Sequence, residues 1–117
     1  MPDKPHLLFV CGRNQWRSPT AERLYRHDER VEVRSAGTSA VSRHRVSAAD
    51  IQWADLILVM EAKYRTWIVT NFRAIKLPPI ENLDVPDEYG YLDEELVDLL
   101  QRSVVPHIVR LTRSDRT

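Results

Sequence analysis

The sequence predicts one three-layer α/β domain over residues 1–117, a short parallel sheet of about four strands wound by helices on both faces. Two observations predict it. Residues 6–10 and 56–60 are mostly apolar runs without alternation, the pattern of strands buried on both faces of a parallel sheet. Each is followed by apolar residues at spacings of three and four, so strands alternate with helices. Such chains wind by right-handed crossovers and bind ligands beyond the carboxyl ends of the strands. A length of 117 residues suits one core and not two.

Taken in order, residues 18 to about 27 carry Ala21, Leu24 and Tyr25 at helical spacing. Glu22 lies near the start and Arg23, Arg26 and His27 toward the end, as a helix dipole prefers. Val31, Glu32, Val33 and Arg34 alternate like an edge strand, and Ser35-Ala36-Gly37 suits a tight exit. Residues 38–47 are polar and too few for a substantial helix with its turns. Ser47 is a fair N-cap for a short helix through Trp53. Over 61–72, Tyr64, Trp67, Ile68 and Phe72 fall at spacings of three and four, a helix that buries its aromatic stripe in the core. A last strand is expected in 74–77, or in 79–85 past the double proline. A closing helix is expected over 92–111, kinked or split by Pro106.

The first apolar run ends at Cys11, the one cysteine of the chain. The loop after it, Gly12-Arg13-Asn14-Gln15-Trp16, can turn several backbone N–H groups inward at one oxyanion, and Arg17-Ser18-Pro19 opens a helix. Arg17 can offer a planar fork to two oxygens of a tetrahedral phosphate. The same positive surroundings favour a thiolate, which is a nucleophile without a separate base. Ser18 can donate its hydroxyl to the sulfur, and Pro19 suits the first helical turn, where its missing N–H costs nothing. The plainer reading, a structural cysteine at a strand end, leaves the loop and the helix start unexplained.

These residues carry a resemblance. Val10-Cys11, Asn14 and Arg17-Ser18-Pro19-Thr20-Ala21-Glu22 resemble the signature of the low-molecular-weight protein tyrosine phosphatase family, whose phosphate-binding loop runs cysteine, five residues, arginine, serine. Ser35-Ala36-Gly37-Thr38, Asp55 through Met60, and Pro86-Asp87-Glu88-Tyr89 follow in the family's order. The resemblance implies a phosphomonoester hydrolase in which Cys11 forms a phosphocysteine. Arg17 binds phosphate together with loop residues Gly12, Arg13, Asn14, Gln15, Trp16 and Ser18, and Asp87 is the general acid. It also implies support of the loop by Asn14, Ser18 and Ser35, and pocket walls at Gln15 and Tyr89.

The family's aspartate is followed by proline, whereas Glu88 follows Asp87, so Asp84 and Glu88 stand as alternative acids. Crowding of three carboxylates favours keeping one protonated. His44 lies near the family's network histidine and reads as a solvent-facing loop residue. Three departures mark the chain. Residues 38–47 are shorter than the family's helical connection, which suggests a shortened variant. Arg13 stands where the family has glycine before the asparagine, and would be strained if that position needs positive φ. Trp16 replaces a second cysteine, so oxidised Cys11 has no internal thiol partner.

Composition narrows the classes. Lys+Arg and Asp+Glu each number 17, so nothing predicts a nucleic-acid or anionic-membrane partner. A lone cysteine excludes an intrachain disulfide and a cysteine-cluster metal site, and no metal or cofactor is expected. The opening Met-Pro-Asp-Lys-Pro-His lacks the apolar core of a signal peptide and no run reaches membrane-spanning length, so cytoplasm is the expectation. Expected partners are a phosphorylated protein or small phosphomonoester, with inorganic phosphate or other oxyanions in the loop. Two competing readings remain. One is a phosphate- or phosphopeptide-binding module that has lost turnover. The other is an arsenate reductase-like protein, whose thioredoxin-coupled form relays electrons through cysteines this chain lacks.

Overall fold

In the computed structural model, residues 4–113 are described. Strand β1 (His6–Cys11) leads through α1 (Arg17–Tyr25) to β2 (Glu32–Gly37), then α2 (Ala48–Trp53), β3 (Leu56–Val59), α3 (Ala62–Asn71), β4 (Ile80–Asn82) and α4 (Glu94–Arg113). The four strands form one parallel sheet in the order β2-β1-β3-β4. The chain therefore steps one way from β1 to β2 and the other way to β3 and β4. With right-handed crossovers this puts α1 on one sheet face, where α4 packs beside it, and α2 and α3 on the other. The reversal between β1 and β3 is a switch point, where connections leave in opposite directions and open a crevice.

Central strands β1 and β3 are apolar because both faces are covered. Leu7, Leu8, Phe9, Val10, Ile57, Leu58 and Val59 are fully buried, joined by Leu96, Leu100, Val104 and Ile108 from α4. Edge strand β2 runs further than its alternation suggests. Ser35, Ala36 and Gly37, expected to turn away, pair with Phe9, Val10 and Cys11. The last strand lies past Pro78-Pro79, since prolines have no N–H for the ladder, and residues 74–77 are not strand. Residues 38–47 hold no helix. Ser47 caps α2 through a reciprocal capping box with Asp50.

Pro106 neither ends nor splits α4, which runs unbroken to Arg113. It lies on the exposed face of the helix, as does Arg102, whose carbonyl is the one that Pro106, lacking an N–H, cannot bond. Among the described residues, no helix is long and apolar enough to cross a membrane.

Candidate active site

The carboxyl ends of all four strands border one cleft of about 360 Å³. Cys11 comes from the end of β1, Ser39 from beyond β2, Lys63 and Tyr64 from the first turn of α3 after β3, and Asp87 from the loop after β4. Arg13, Gln15, Trp16 and Arg17 complete the wall.

The loop's shape follows from where its carbonyls go. Those of Cys11, Gly12 and Arg13 accept from the backbone N–H groups of Thr38 (3.1 Å), Ser39 (2.8 Å) and Arg43 (3.3 Å), and Ser42 Oγ also donates to the Gly12 carbonyl at 3.0 Å. The short polar segment after β2 thus ties down one side of the loop. Among the described residues, the N–H groups of Gly12, Arg13, Asn14, Gln15 and Trp16 donate to no protein acceptor. Five backbone donors stand unspent in a loop that begins at a thiol, the arrangement of an anion nest.

A buried chain of side chains supports the loop from behind. Glu22 Oε1 accepts from Ser35 Oγ at 2.5 Å, and Asn14 Nδ2 donates to Ser35 Oγ at 2.9 Å and to Ser18 Oγ at 3.0 Å. Ser18 Oγ lies 2.9 Å from Cys11 Sγ. With its oxygen filled by Asn14, Ser18 has a proton to give. The sulfur is nearer than the Ala36 carbonyl at 3.4 Å, so the hydroxyl is placed to donate to it. Asn14 adopts φ of 54°, while Arg13 does not have positive φ, so the strain expected at position 13 falls one residue later. Asparagine tolerates this left-handed conformation better than most residues.

Arg17 is 3% exposed and nearly saturated with partners. Nη1 donates to Glu61 Oε1 (2.5 Å) and to the Val85 carbonyl (2.9 Å), and Nη2 donates to Tyr64 Oη (2.8 Å). Of five guanidinium protons this leaves Nε–H and one on Nη2 for an incoming oxyanion. Asp87 Oδ1 stands 3.7 Å from Nε, over that same edge. Burial would push the Arg17 pKa down, but Glu61, Tyr64 and Asp87 outweigh it and hold the group above the usual arginine value. Burial likewise pushes Glu61 up, yet the Arg17 hydrogen bond and charge, with Lys63 beside it, keep its carboxyl below the usual range.

Two expectations change. Tyr89 is half-buried against the core and does not line the cleft. The aromatic wall is Tyr64, expected to be core alone, whose ring also lies 5.5 Å from the Arg17 guanidinium carbon. Of the three acid candidates, only Asp87 lines the cleft. His44, exposed as expected, is nonetheless paired, its Nε2 2.8 Å from Asp50 Oδ2. Glu61 and Tyr64 were missed. Their one signal was position, since the turn after a central parallel strand faces the ligand site. Gly12 fits the same wall, where an added Cβ would lie 3.1 Å from Tyr64 Oη.

Fold and site together define a parallel α/β protein with a thiol at the start of a loop of unspent backbone donors. The family model for low molecular weight phosphotyrosine protein phosphatase matches residues 6–52, which hold the loop, α1, β2 and nearly all of α2. Among solved structures, low molecular weight protein tyrosine phosphatase SP-PTP from Streptococcus pyogenes is similar with a TM-score of 0.76, at 19% identity over 92% of this chain and 93% of that one. YwlE arginine phosphatase from Geobacillus stearothermophilus is similar with a TM-score of 0.68, at 24% identity over 96% and 93%. Tyrosine phosphatase Wzb from Escherichia coli K30, in complex with phosphate, is similar with a TM-score of 0.69, at 21% identity over 93% and 99%. No curated protein sequence matches the chain. The chain thus shares the fold of these phosphatases and resembles the low molecular weight phosphotyrosine protein phosphatase model over residues 6–52.

Proposed function

We propose that this protein hydrolyses phosphomonoesters, with phosphotyrosine in proteins as the first substrate class, through a phosphocysteine on Cys11. The observation that carries the reading is the thiol at the start of five unspent loop amides, beside the two free donors of Arg17. The Cys11 thiolate attacks phosphorus and forms an S–P bond as the P–O bond to the leaving group breaks. Asp87 gives its proton to the departing oxygen. Water then attacks phosphorus, Asp87 takes its proton, and the S–P bond breaks to release phosphate and the thiolate. Loop amides and Arg17 hold the equatorial oxygens throughout, so the growing charge meets preorganised donors. Asn14, Ser18 and Ser35 keep the loop in shape.

Hydrolysis of para-nitrophenyl phosphate tests this. Turnover should be abolished in Cys11→Ser and lowered about 10²-fold or more in Asp87→Asn. A larger loss in Glu88→Gln or Asp84→Asn than in Asp87→Asn would reassign the acid. No turnover by the wild type, with vanadate still bound, would instead make the protein a phosphate-binding module. The likeness to an arginine phosphatase makes a phosphoarginine peptide the second substrate to set against phosphotyrosine.

A further inference from the structure

A second groove of about 330 Å³ lies beside the loop support, lined by Arg23 and Arg26 of α1 and its C-cap, by Arg43, and by Tyr91, with Asn14 and Glu22 among its other walls. Arg23 and Arg26 are three residues apart and share one helix face. Among the described residues, none of the three arginine side chains has an ion pair, hydrogen bond or ring partner. Glu22, the acid in the groove, already accepts from Ser35 at 2.5 Å. The chain as a whole carries no net charge, so this gathering of unpaired guanidinium groups is local and not a by-product of a basic protein. Three like charges around one groove repel one another when it is empty, and an anion relieves that repulsion.

The groove is also connected to the active cleft. Arg43 donates its N–H to the carbonyl of Arg13 at 3.3 Å, and Arg13 lines the cleft beside Cys11. A cationic strip thus runs from the thiol loop through Arg13 and Arg43 to Arg23 and Arg26. The half-exposed Tyr91 ring gives the groove a wall against which a peptide can lie. We propose that this groove docks an acidic stretch of the substrate protein next to its phosphorylated residue. The proposal deepens the phosphatase reading and rests on it. It assigns the substrate a chemistry, a phosphorylated residue with Asp or Glu neighbours, which the loop alone does not select.

Two phosphotyrosine peptides of equal length, one with Asp/Glu flanks and one with Ser/Gln flanks, test it against the wild type and an Arg23→Gln/Arg26→Gln variant. The wild type should favour the acidic peptide in kcat/KM by about fivefold at low ionic strength, less at high salt. The variant should lose the preference while its kcat/KM on para-nitrophenyl phosphate is unchanged. A preference absent in the wild type, or intact in the variant, overturns docking. Docking is read apart from catalysis by fluorescence anisotropy of a labelled, unphosphorylated acidic peptide. If the wild type turns over nothing, the phosphatase reading fails, whereas weaker peptide binding by the variant than by the wild type upholds docking. Equal binding by both proteins overturns it. Wild-type binding to phosphatidylserine vesicles and not to the peptide also overturns it, in favour of a membrane surface.

Discussion

Tyr64 holds Arg17 by a single hydrogen bond at 2.8 Å and lines the cleft with its ring. Tyr64→Phe removes the bond and keeps the ring. Leaving one buried guanidinium proton unpaired costs about 1–3 kcal/mol of stability, so the melting temperature should fall by several degrees, and kcat/KM should fall on the order of tenfold as Arg17 loses a tether. An unaltered kcat/KM would reduce Tyr64 to packing. Tyr25 is the opposite case. Among the described residues its buried hydroxyl has no hydrogen-bond partner, and burial pushes its pKa up to about 12. The fold binds that proton more tightly than the unfolded chain, whose tyrosines ionise near 10. The contribution is therefore complete below about pH 10 and is lost as pH rises toward 12. Tyr25→Phe should remove this alkaline slope and leave neutral-pH stability equal or about 1 kcal/mol higher in denaturant titrations.

Elements matter here through the places where they touch the loop. Gly37, the last residue of β2, is required by contact and not by conformation. A Cβ there would lie 2.7 Å from the Gly12 carbonyl oxygen and 2.8 Å from the Asn14 nitrogen, both backbone atoms that cannot swing aside. Gly37→Ala should cost about 1–3 kcal/mol in urea unfolding and lower vanadate affinity together with stability, since the clash falls on the loop. Stability lost with affinity intact would place the strain elsewhere. The Ser35-Ala36-Gly37 run looked like a turn because Ser and Gly signal exits. It is strand because two of its members hold the loop, Ser35 through Asn14 and Gly37 by lacking a side chain.

At the scale of the whole molecule, Arg17 ties α1 to Glu61 before α3 and to the Val85 carbonyl after β4, so an anion on its free edge braces three connections at once. Phosphate or vanadate at 100 times its dissociation constant should stabilise the protein by about 2.7 kcal/mol, read as a higher melting temperature. In Arg17→Lys, which lacks the planar fork, most of that gain should vanish. The brace also depends on acid pH. Glu61 has a lowered folded pKa, so its contribution is present above the unfolded carboxylate value of about 4.3 and is lost as pH falls through the folded one. Ligand-free protein should lose stability below about pH 4, and Glu61→Gln should flatten that fall.

Much of the fold was legible because its signals are local. Unbroken apolar runs mark β1 and β3, and Ser47 as N-cap marks the start of α2. The loop was legible for the same reason, since Cys11, Asn14, Arg17 and Ser18 lie within eight consecutive residues. What the sequence alone determined, then, was the alternation of buried strands and helices and a thiol set in a loop of backbone donors. Tertiary structure decided which distant groups meet that loop. Glu61 and Tyr64 join Arg17 across more than forty residues of chain, Asp87 alone of its acidic neighbours reaches the cleft, and Arg43 comes beside Arg23 and Arg26. The first two depend on the reversal of strand order at β1 and β3, and the third on the pairing of β2 beside β1, which bring strand ends together in space while leaving no trace in local periodicity.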